Sequence, residues 1–231
     1  VDTIAESLSA VRARIRAAEV AFGRRAGSVR LLAVSKGRPA ADLRVAAAAG
    51  QDAFGENYVS EALAKMAELA DLSLEWHFIG PVQSNKTRAI AERFAWVHSV
   101  DRAKVARRLS AQRPPGLPPL EVCLEVNVSG EASKAGVAPG DLEALALEVS
   151  GLPGLRLRGL MTVPAPAEGV ARQRLPFRRL REVFEGLCAR GLALDTLSMG
   201  MTADLEAAVA EGATVVRVGT AIFGPRETAG R

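Results

Sequence analysis

The 231-residue sequence predicts an α/β fold: a single (β/α)8 TIM-type barrel over residues 1–231, with an additional N-terminal helix. Three observations carry that prediction. Eight short apolar runs recur along the chain, separated by helix-like segments. The runs are continuous rather than alternating, as in strands covered on both faces. Eight such units in about 200 residues sit at the lower size limit of this barrel. A doubly wound open sheet is the alternative. It would carry a glycine-rich dinucleotide fingerprint after its first strand, and Val34-Ser35-Lys36-Gly37 is not one.

The first helix is read from Ile4, Leu8, Val11, Ile15, Ala18 and Phe22, which step by four and three. Arg12, Arg14, Arg16 and Glu19 fall mostly on other faces, and Gly23 ends the pattern. The seam is too short for a coiled coil, so it predicts a helix packed on a larger body. Strands are expected at 31–35, 52–55, 74–79, 95–100, 120–127, 155–161, 193–198 and 214–219. Helices are expected at 40–49, 57–69, 85–92, 102–109, 141–149, 177–189 and 203–210. Pro176 fits the first turn of its helix. Asp101 fits an N-cap ahead of Val105 and Leu109. The proline-dense segment 113–119 reads as a rigid connection into the fifth strand. No linker, repeat or low-complexity segment interrupts the pattern.

Composition narrows the function classes. Net charge is +4, from 25 Arg and 5 Lys against 26 acidic residues, and aromatics are only 4%. A nucleic-acid binder clusters basic residues among stacking aromatics, which is not the pattern here. The densest group, Arg172 to Arg181, reads as a solvated helix face. Cys123 and Cys188 make neither a disulfide framework nor a metal spacing, which favours a reducing, cytoplasmic setting. No run of 18 uncharged apolar residues predicts a membrane span, and no leader predicts secretion. Phosphate-loop, zincin, Cys-x-x-Cys and nucleophile-elbow strings are all missing.

In such a barrel, function sits where strands end and loops begin. Strand 7 ends in Ser198-Met199-Gly200-Met201 and strand 8 in Gly219-Thr220. The loops after strands 7 and 8 commonly bind phosphate. Ser198 and Thr220 offer hydroxyls, Gly200 and Gly219 allow close backbone approach, and the helix expected from Ala203 points its positive end inward. The same residues would also serve as ordinary turn and capping positions. Lys36 directly follows an apolar strand. It either reaches to solvent or, at a barrel mouth, becomes a nucleophilic amine. Together with a phosphate cup it suggests a phosphorylated aldehyde held as a Schiff base. Arg217 lies in a valine-rich strand two residues before Gly219, as a structural ion pair or as a donor to a ring nitrogen or phosphate. His77 and His98 read as core or lining histidines, and Cys123 as core packing.

At these residues the sequence resembles a known family. Ala33-Val34-Ser35-Lys36, Phe54-Gly55-Glu56-Asn57-Tyr58-Val59, Trp76-His77-Phe78-Ile79-Gly80-Pro81, Gln83-Ser84-Asn85-Lys86, Gly159-Leu160-Met161, Leu197-Ser198-Met199-Gly200-Met201 and Val218-Gly219-Thr220-Ala221-Ile222-Phe223-Gly224 resemble the pyridoxal phosphate homeostasis protein family. That family looks like the barrel half of alanine racemase, fold type III of the pyridoxal-phosphate enzymes. The resemblance implies that Lys36 carries pyridoxal 5'-phosphate as an internal aldimine. It implies that Ser198, Gly200, Gly219 and Thr220 surround the phosphate, that Arg217 faces the pyridine nitrogen, that Asn57 lines the site and that Met199 belongs to the cofactor-binding set. Lys134, in Glu131-Ala132-Ser133-Lys134-Ala135-Gly136, matches a further family segment associated with release or a second binding mode. Gly37-Arg38 departs from the family, which commonly has a Thr first.

Two functions follow from the resemblance. One is a cofactor carrier that supplies apo-enzymes and turns nothing over. The other is a fold-type-III amino-acid racemase. Racemisation needs acid–base groups on both faces of a carbanion. In alanine racemase a tyrosine from a second domain of the partner subunit supplies one face; no such domain is expected here, and Tyr58 has no evident reason to take that place. An arginine at the ring nitrogen is also a poor electron sink. The expectation is therefore a carrier, monomeric by default, without nucleic acid or membrane as partner.

Overall fold

The computed structural model describes residues 2–130 and 135–225. Eight parallel strands close into a barrel in sequence order: β1 (Arg30–Val34), β2 (Ala53–Glu56), β3 (Glu75–Phe78), β4 (Trp96–Val100), β5 (Leu120–Glu125), β6 (Leu155–Met161), β7 (Thr196–Ser198) and β8 (Val215–Val218). The ring is closed by β8 pairing with β1, Arg217 opposite Leu32. The connecting helices are α2 (Ala40–Ala48), α3 (Val59–Glu68), α4 (Thr87–Arg93), α5 (Ala103–Gln112), α6 (Leu142–Ser150), α7 (Val170–Ala189) and α8 (Leu205–Ala210). α1 (Ile4–Ala21) precedes the barrel and α9 (Thr220–Phe223) follows β8. The predicted architecture is the observed one. No helix among the described residues is long and apolar enough to cross a membrane.

Helix α1 starts at a capping box, with the Thr3 hydroxyl accepting from Glu6 N–H at 3.3 Å and the Glu6 carboxylate from Thr3 N–H at 2.8 Å. Leu8, Val11, Ile15 and Ala18 are buried, as the spacing predicts. Glu19 departs from the prediction: it is buried, because it accepts the backbone N–H of Gly27 (3.0 Å) and of Val29 (2.9 Å) where the chain turns into β1.

The strands separate two layers. Outward residues such as Ala33, Phe54, Phe78, Val97, Val122, Leu160 and Val216 pack with Leu43, Ile90, Leu109, Phe177 and Leu180 of the helices into one continuous core. The barrel interior holds only small apolar groups: Leu32, Ala53 and Val215 with Ile79, and Trp96, Cys123 and Met161. Several other inward positions are polar. At the N-terminal end Arg158 bonds Glu121 (3.1 Å) and Asp195 (2.7 Å), and Arg30 bonds Glu75 (2.6 Å).

Four sequence expectations are corrected. α7 begins at Val170, so Pro176 lies inside the helix rather than in its first turn. Arg172 and Leu175 are exposed there, where the ladder bond that proline cannot make is replaced by solvent. The arginine group of α7 is not simply a solvated face. Arg174 (2.6 Å), Arg178 (3.2 Å) and Arg181 (3.2 Å) converge on buried Glu211. Asp101 does not cap α5, whose N-cap is Arg102, because its carboxylate pairs with the Arg102 guanidinium at 2.6 Å. β7 is also shorter than expected, since Asp195 is drawn to Arg158.

Candidate functional site

A cavity of about 410 Å³ opens at the C-terminal end of the strands, a size typical of small-molecule sites. Lys36, Asn57, Arg217, Gly219 and Thr220 line it, with Val34, Ile79, Val163, Met201, Thr202 and Ala203. Five of the eight expected residues are thus brought together. The other three lie behind the wall. Met199 is fully buried in the outer core. Gly200 has φ +95°, and a Cβ there would meet Ala208 Cβ at 2.5 Å, so only glycine fits; its carbonyl accepts the Arg217 N–H at 2.9 Å. Ser198 is fully buried, and its hydroxyl is engaged inside the barrel rather than offered to the cavity. The sequence expectation of a Ser198 hydroxyl donor at the mouth is corrected accordingly. Lys134 lies outside the described residues.

Lys36 is held by its backbone neighbours. Lys65 Nζ donates to the Ser35 carbonyl (2.7 Å), to Glu56 Oε1 (2.7 Å) and to Glu61 Oε1 (2.6 Å). Glu61 Oε1 also accepts the Gly37 N–H at 2.6 Å, and Ser35 Oγ donates to Glu56 Oε1 at 2.6 Å. The peptides on both sides of Lys36 are therefore anchored to one charged cluster between the barrel and α3. Burial pushes the Glu56 carboxyl up, against the opposing pull of Lys65 and Ser35, and its Oε2 has no hydrogen-bond partner among the described residues. Gly37 has φ +71°, a conformation that glycine adopts without strain. Arg38 then ties this loop to the carbonyls of Gly224 and Pro225 beyond α9. Sequence reasoning missed this cluster. The available signals were the i,i+4 pair Glu61–Lys65 and a glutamate ending an otherwise apolar strand.

Arg217 is buried, with NH1 donating to Ser198 Oγ (2.7 Å) and NH2 to the Thr162 carbonyl (2.9 Å). Its hydrogen bonds go to neutral acceptors, so the ion-pair alternative is not what the fold contains. Burial pulls its pKa down to about 10, and the more distant charges of Glu125 and Asp204 oppose that shift. Burial, helped by Asp101, pushes the Glu125 carboxyl up to about 7. Below Ser198 the two histidines line the interior in contact: His98 Nδ1 lies 2.7 Å from Ser198 Oγ, His98 Nε2 2.9 Å from His77 Nδ1, and His77 Nε2 2.6 Å from Glu75 Oε1.

Two further features suit the cavity to a ligand. Asn57 Oδ1 is buried and has no hydrogen-bond partner among the described residues. At Gly219 a Cβ would sit 3.1 Å from the Val34 carbonyl oxygen, so β1 and β8 approach closely under the rim. α9 opens at Thr220; the N–H groups of Ile222 (2.9 Å) and Phe223 (3.0 Å) already donate to the Gly219 carbonyl, which leaves those of Thr220 and Ala221 at the head of the helix. The donor set of an amine, a guanidinium, a hydroxyl and backbone amides fits a small anion that carries both an electrophilic carbon and an acceptor nitrogen. Pyridoxal phosphate meets that description. Tyr58 is 61% exposed and lines a neighbouring pocket with Pro81, Gln83 and Lys86.

The family model described as alanine racemase, N-terminal domain, matches residues 7–227. A pyridoxal phosphate homeostasis protein of Pseudomonas aeruginosa is 65% identical over 225 residues, 97% of this chain and 96% of that one. The protein of the same name from Escherichia coli K12 is 50% identical over 227 residues, covering 97% of each chain. Among solved structures, PipY of Synechococcus elongatus PCC7942 with PLP bound has a TM-score of 0.85 at 42% identity, covering 96% of this chain and all of that one. Alanine racemase from Corynebacterium glutamicum shares the fold, with a TM-score of 0.66 at 22% identity over 97% of this chain and 63% of its own.

Proposed function

We propose a function from a plain premise: the chain belongs to the pyridoxal phosphate homeostasis protein family, within the larger family of the alanine racemase N-terminal domain. It binds pyridoxal 5'-phosphate and acts in its homeostasis. The observation that carries this reading to residues is the single cavity shared by Lys36 from the end of β1 and Arg217, Gly219 and Thr220 from the end of β8.

When bound, the cofactor supplies a reactive aldehyde. Lys36 Nζ would be the amine that holds this aldehyde, as a Schiff base with loss of water, and hydrolysis or an incoming amine would release it. Thr220 and the backbone of Gly219 hold the phosphate, and Ser198, Met199 and Gly200 shape the wall behind that rim. Asn57 Oδ1 accepts a donor of the ligand. Arg217 donates to the ring nitrogen and, being cationic, disfavours its protonation. That makes a poor electron sink and argues against carbanion chemistry. Tyr58, far more exposed than a catalytic acid and directed to another pocket, leaves the second face of a racemase unserved. The protein therefore stores the cofactor and hands it to apo-enzymes without turnover.

The test is direct. Wild-type protein incubated with pyridoxal phosphate develops a visible band, and Lys36→Ala does not. Loaded protein restores activity to a pyridoxal-phosphate-requiring apo-enzyme. Repeated racemisation of an amino acid, abolished by Lys36→Ala, would replace the carrier with an enzyme.

A further inference from the structure

A line of hydrogen bonds runs down the barrel interior from the mouth to the opposite end. It passes from Arg217 on β8 to Ser198 on β7, His98 on β4, His77 and Glu75 on β3, and finally Arg30 on β1. The steps assigned to Lys36 and the phosphate rim make no use of the two histidines. Both ends of the line have fixed roles: a guanidinium only donates, and an ionised carboxylate only accepts. The bond from His77, with Arg30 beside it, holds the Glu75 carboxyl down at about 2, so it is a carboxylate. Burial lowers both imidazole pKa values, so each ring is neutral and carries one N–H.

The direction of every bond is then forced. His77 must give its N–H to Glu75 from Nε2, so its Nδ1 accepts. His98 must therefore donate from Nε2, so its own Nδ1 accepts. Ser198 must donate to that nitrogen, so its oxygen is left to accept from Arg217. From Arg217 to Glu75 the donors all point away from the mouth, and Arg30 donates to the same carboxylate from the far end. Trp96 stacks on His77 with ring centroids 5.4 Å apart and planes 6° from parallel, and Arg158 covers the other ring system at 4.9 Å, so the His77 plane is fixed as well.

We propose that His98 and His77 are positioning residues for Arg217: they carry the demand of the Glu75 carboxylate for a proton up to Ser198, whose hydroxyl then presents only lone pairs to the guanidinium. This rests on the reading in which Arg217 faces the cofactor ring. Such an arrangement solves a specific problem. A buried arginine needs acceptors, but a carboxylate beside it would cancel the positive charge that an anionic ligand meets at the mouth. The spine places the carboxylate at the far end of the barrel, and neutral Ser198 Oγ and Thr162 O orient the guanidinium in its stead.

Two measurements test the spine. The chain has only two histidines, so the imidazole nitrogens of the ligand-free protein give a two-residue NMR spectrum. Both rings should be neutral and protonated at Nε2; a His98 protonated at Nδ1 overturns the proposal without any ligand present. In the second, pyridoxal phosphate is titrated into wild type, His98→Leu and His98→Asn. His98→Leu should bind about tenfold more weakly and shift the visible band, because Ser198 Oγ loses its fixed orientation. His98→Asn should recover most of both, since its amide oxygen replaces the accepting Nδ1. A folded His98→Leu with wild-type affinity and band overturns the spine alone, whereas wild-type protein that takes up no pyridoxal phosphate overturns the functional reading beneath it. If His98→Leu does not fold, the nitrogen spectrum decides.

Discussion

Each barrel strand shows two unlike surfaces. On the outer one, Phe54, Phe78, Val122, Leu160 and Val216 are apolar, buried and packed against helices. On the inner one, Gly55, His77, His98, Ser198 and Arg217 leave little apolar surface, and the contacts are hydrogen bonds. The outer layer supplies the stability of the fold through area removed from water. The inner layer gives up that gain to hold a few polar atoms in defined directions beneath the mouth. Stability and ligand chemistry are thus carried by opposite faces of the same strands, and substitutions on the two faces should fail differently.

The largest effect is expected in the shell. Phe177→Ala empties a fully buried position and should cost about 3–5 kcal/mol in denaturant unfolding, while affinity for pyridoxal phosphate stays near wild type where the protein remains folded. A matching loss of affinity would break the division. Lys65 is the informative exception, a charged shell residue that reaches the mouth through the peptides around Lys36. Lys65→Met leaves Glu56 buried without its partner and should destabilise by about 3 kcal/mol. Unlike Phe177→Ala, it should also slow the attachment of pyridoxal phosphate.

On the inner face and rim the order reverses. Thr220→Val should weaken phosphate binding by about 1.5–3 kcal/mol, with little change in unfolding, since Thr220 is exposed. Pyridoxal without its phosphate should bind wild type and variant alike, and equal affinity for the two ligands would contradict a phosphate rim.

Last comes a pH dependence peculiar to the interior. His77 and His98 have folded pKa values lowered by burial, so the unfolded chain takes up protons first as the pH falls below about 6.5. Their neutral burial stabilises fully above that range, and the contribution is lost on acidification by up to about 1.4 kcal/mol per pH unit for each ring. Glu75, held down at about 2, behaves as a depressed acid, and its contribution is lost only between about 4.5 and 2. Unfolding measured from pH 7 to 5 should show the histidine slope, and a His77→Gln, His98→Asn double variant should flatten it.

The two layers were also unequally legible. Outer positions reveal themselves through periodicity, because burial against helices selects apolar residues at regular spacing. That is why the strand and helix order, the (β/α)8 closure and the N-terminal helix follow from sequence. Lys36 stands out because a lysine seldom ends an apolar run, and Arg217 because it interrupts a valine-rich one. The direction of the Ser198 hydroxyl could not be read, since it is set by His98, a hundred residues away in sequence and adjacent only across the barrel. The same holds for His77 and His98, which meet because β3 and β4 lie side by side. Lys65 and the α7 arginines sit in helical patterns where solvated side chains look identical. Their partners, Glu56 and Glu211, come from other elements, and tertiary packing alone assigns them.

The central claim is that the mouth holds its cargo on Lys36. Protein loaded with pyridoxal phosphate, reduced with borohydride and digested should carry the reduced label on the peptide containing Lys36. Label confined to Lys65, Lys86, Lys104 or Lys134, with Lys36 unmodified, would contradict the account.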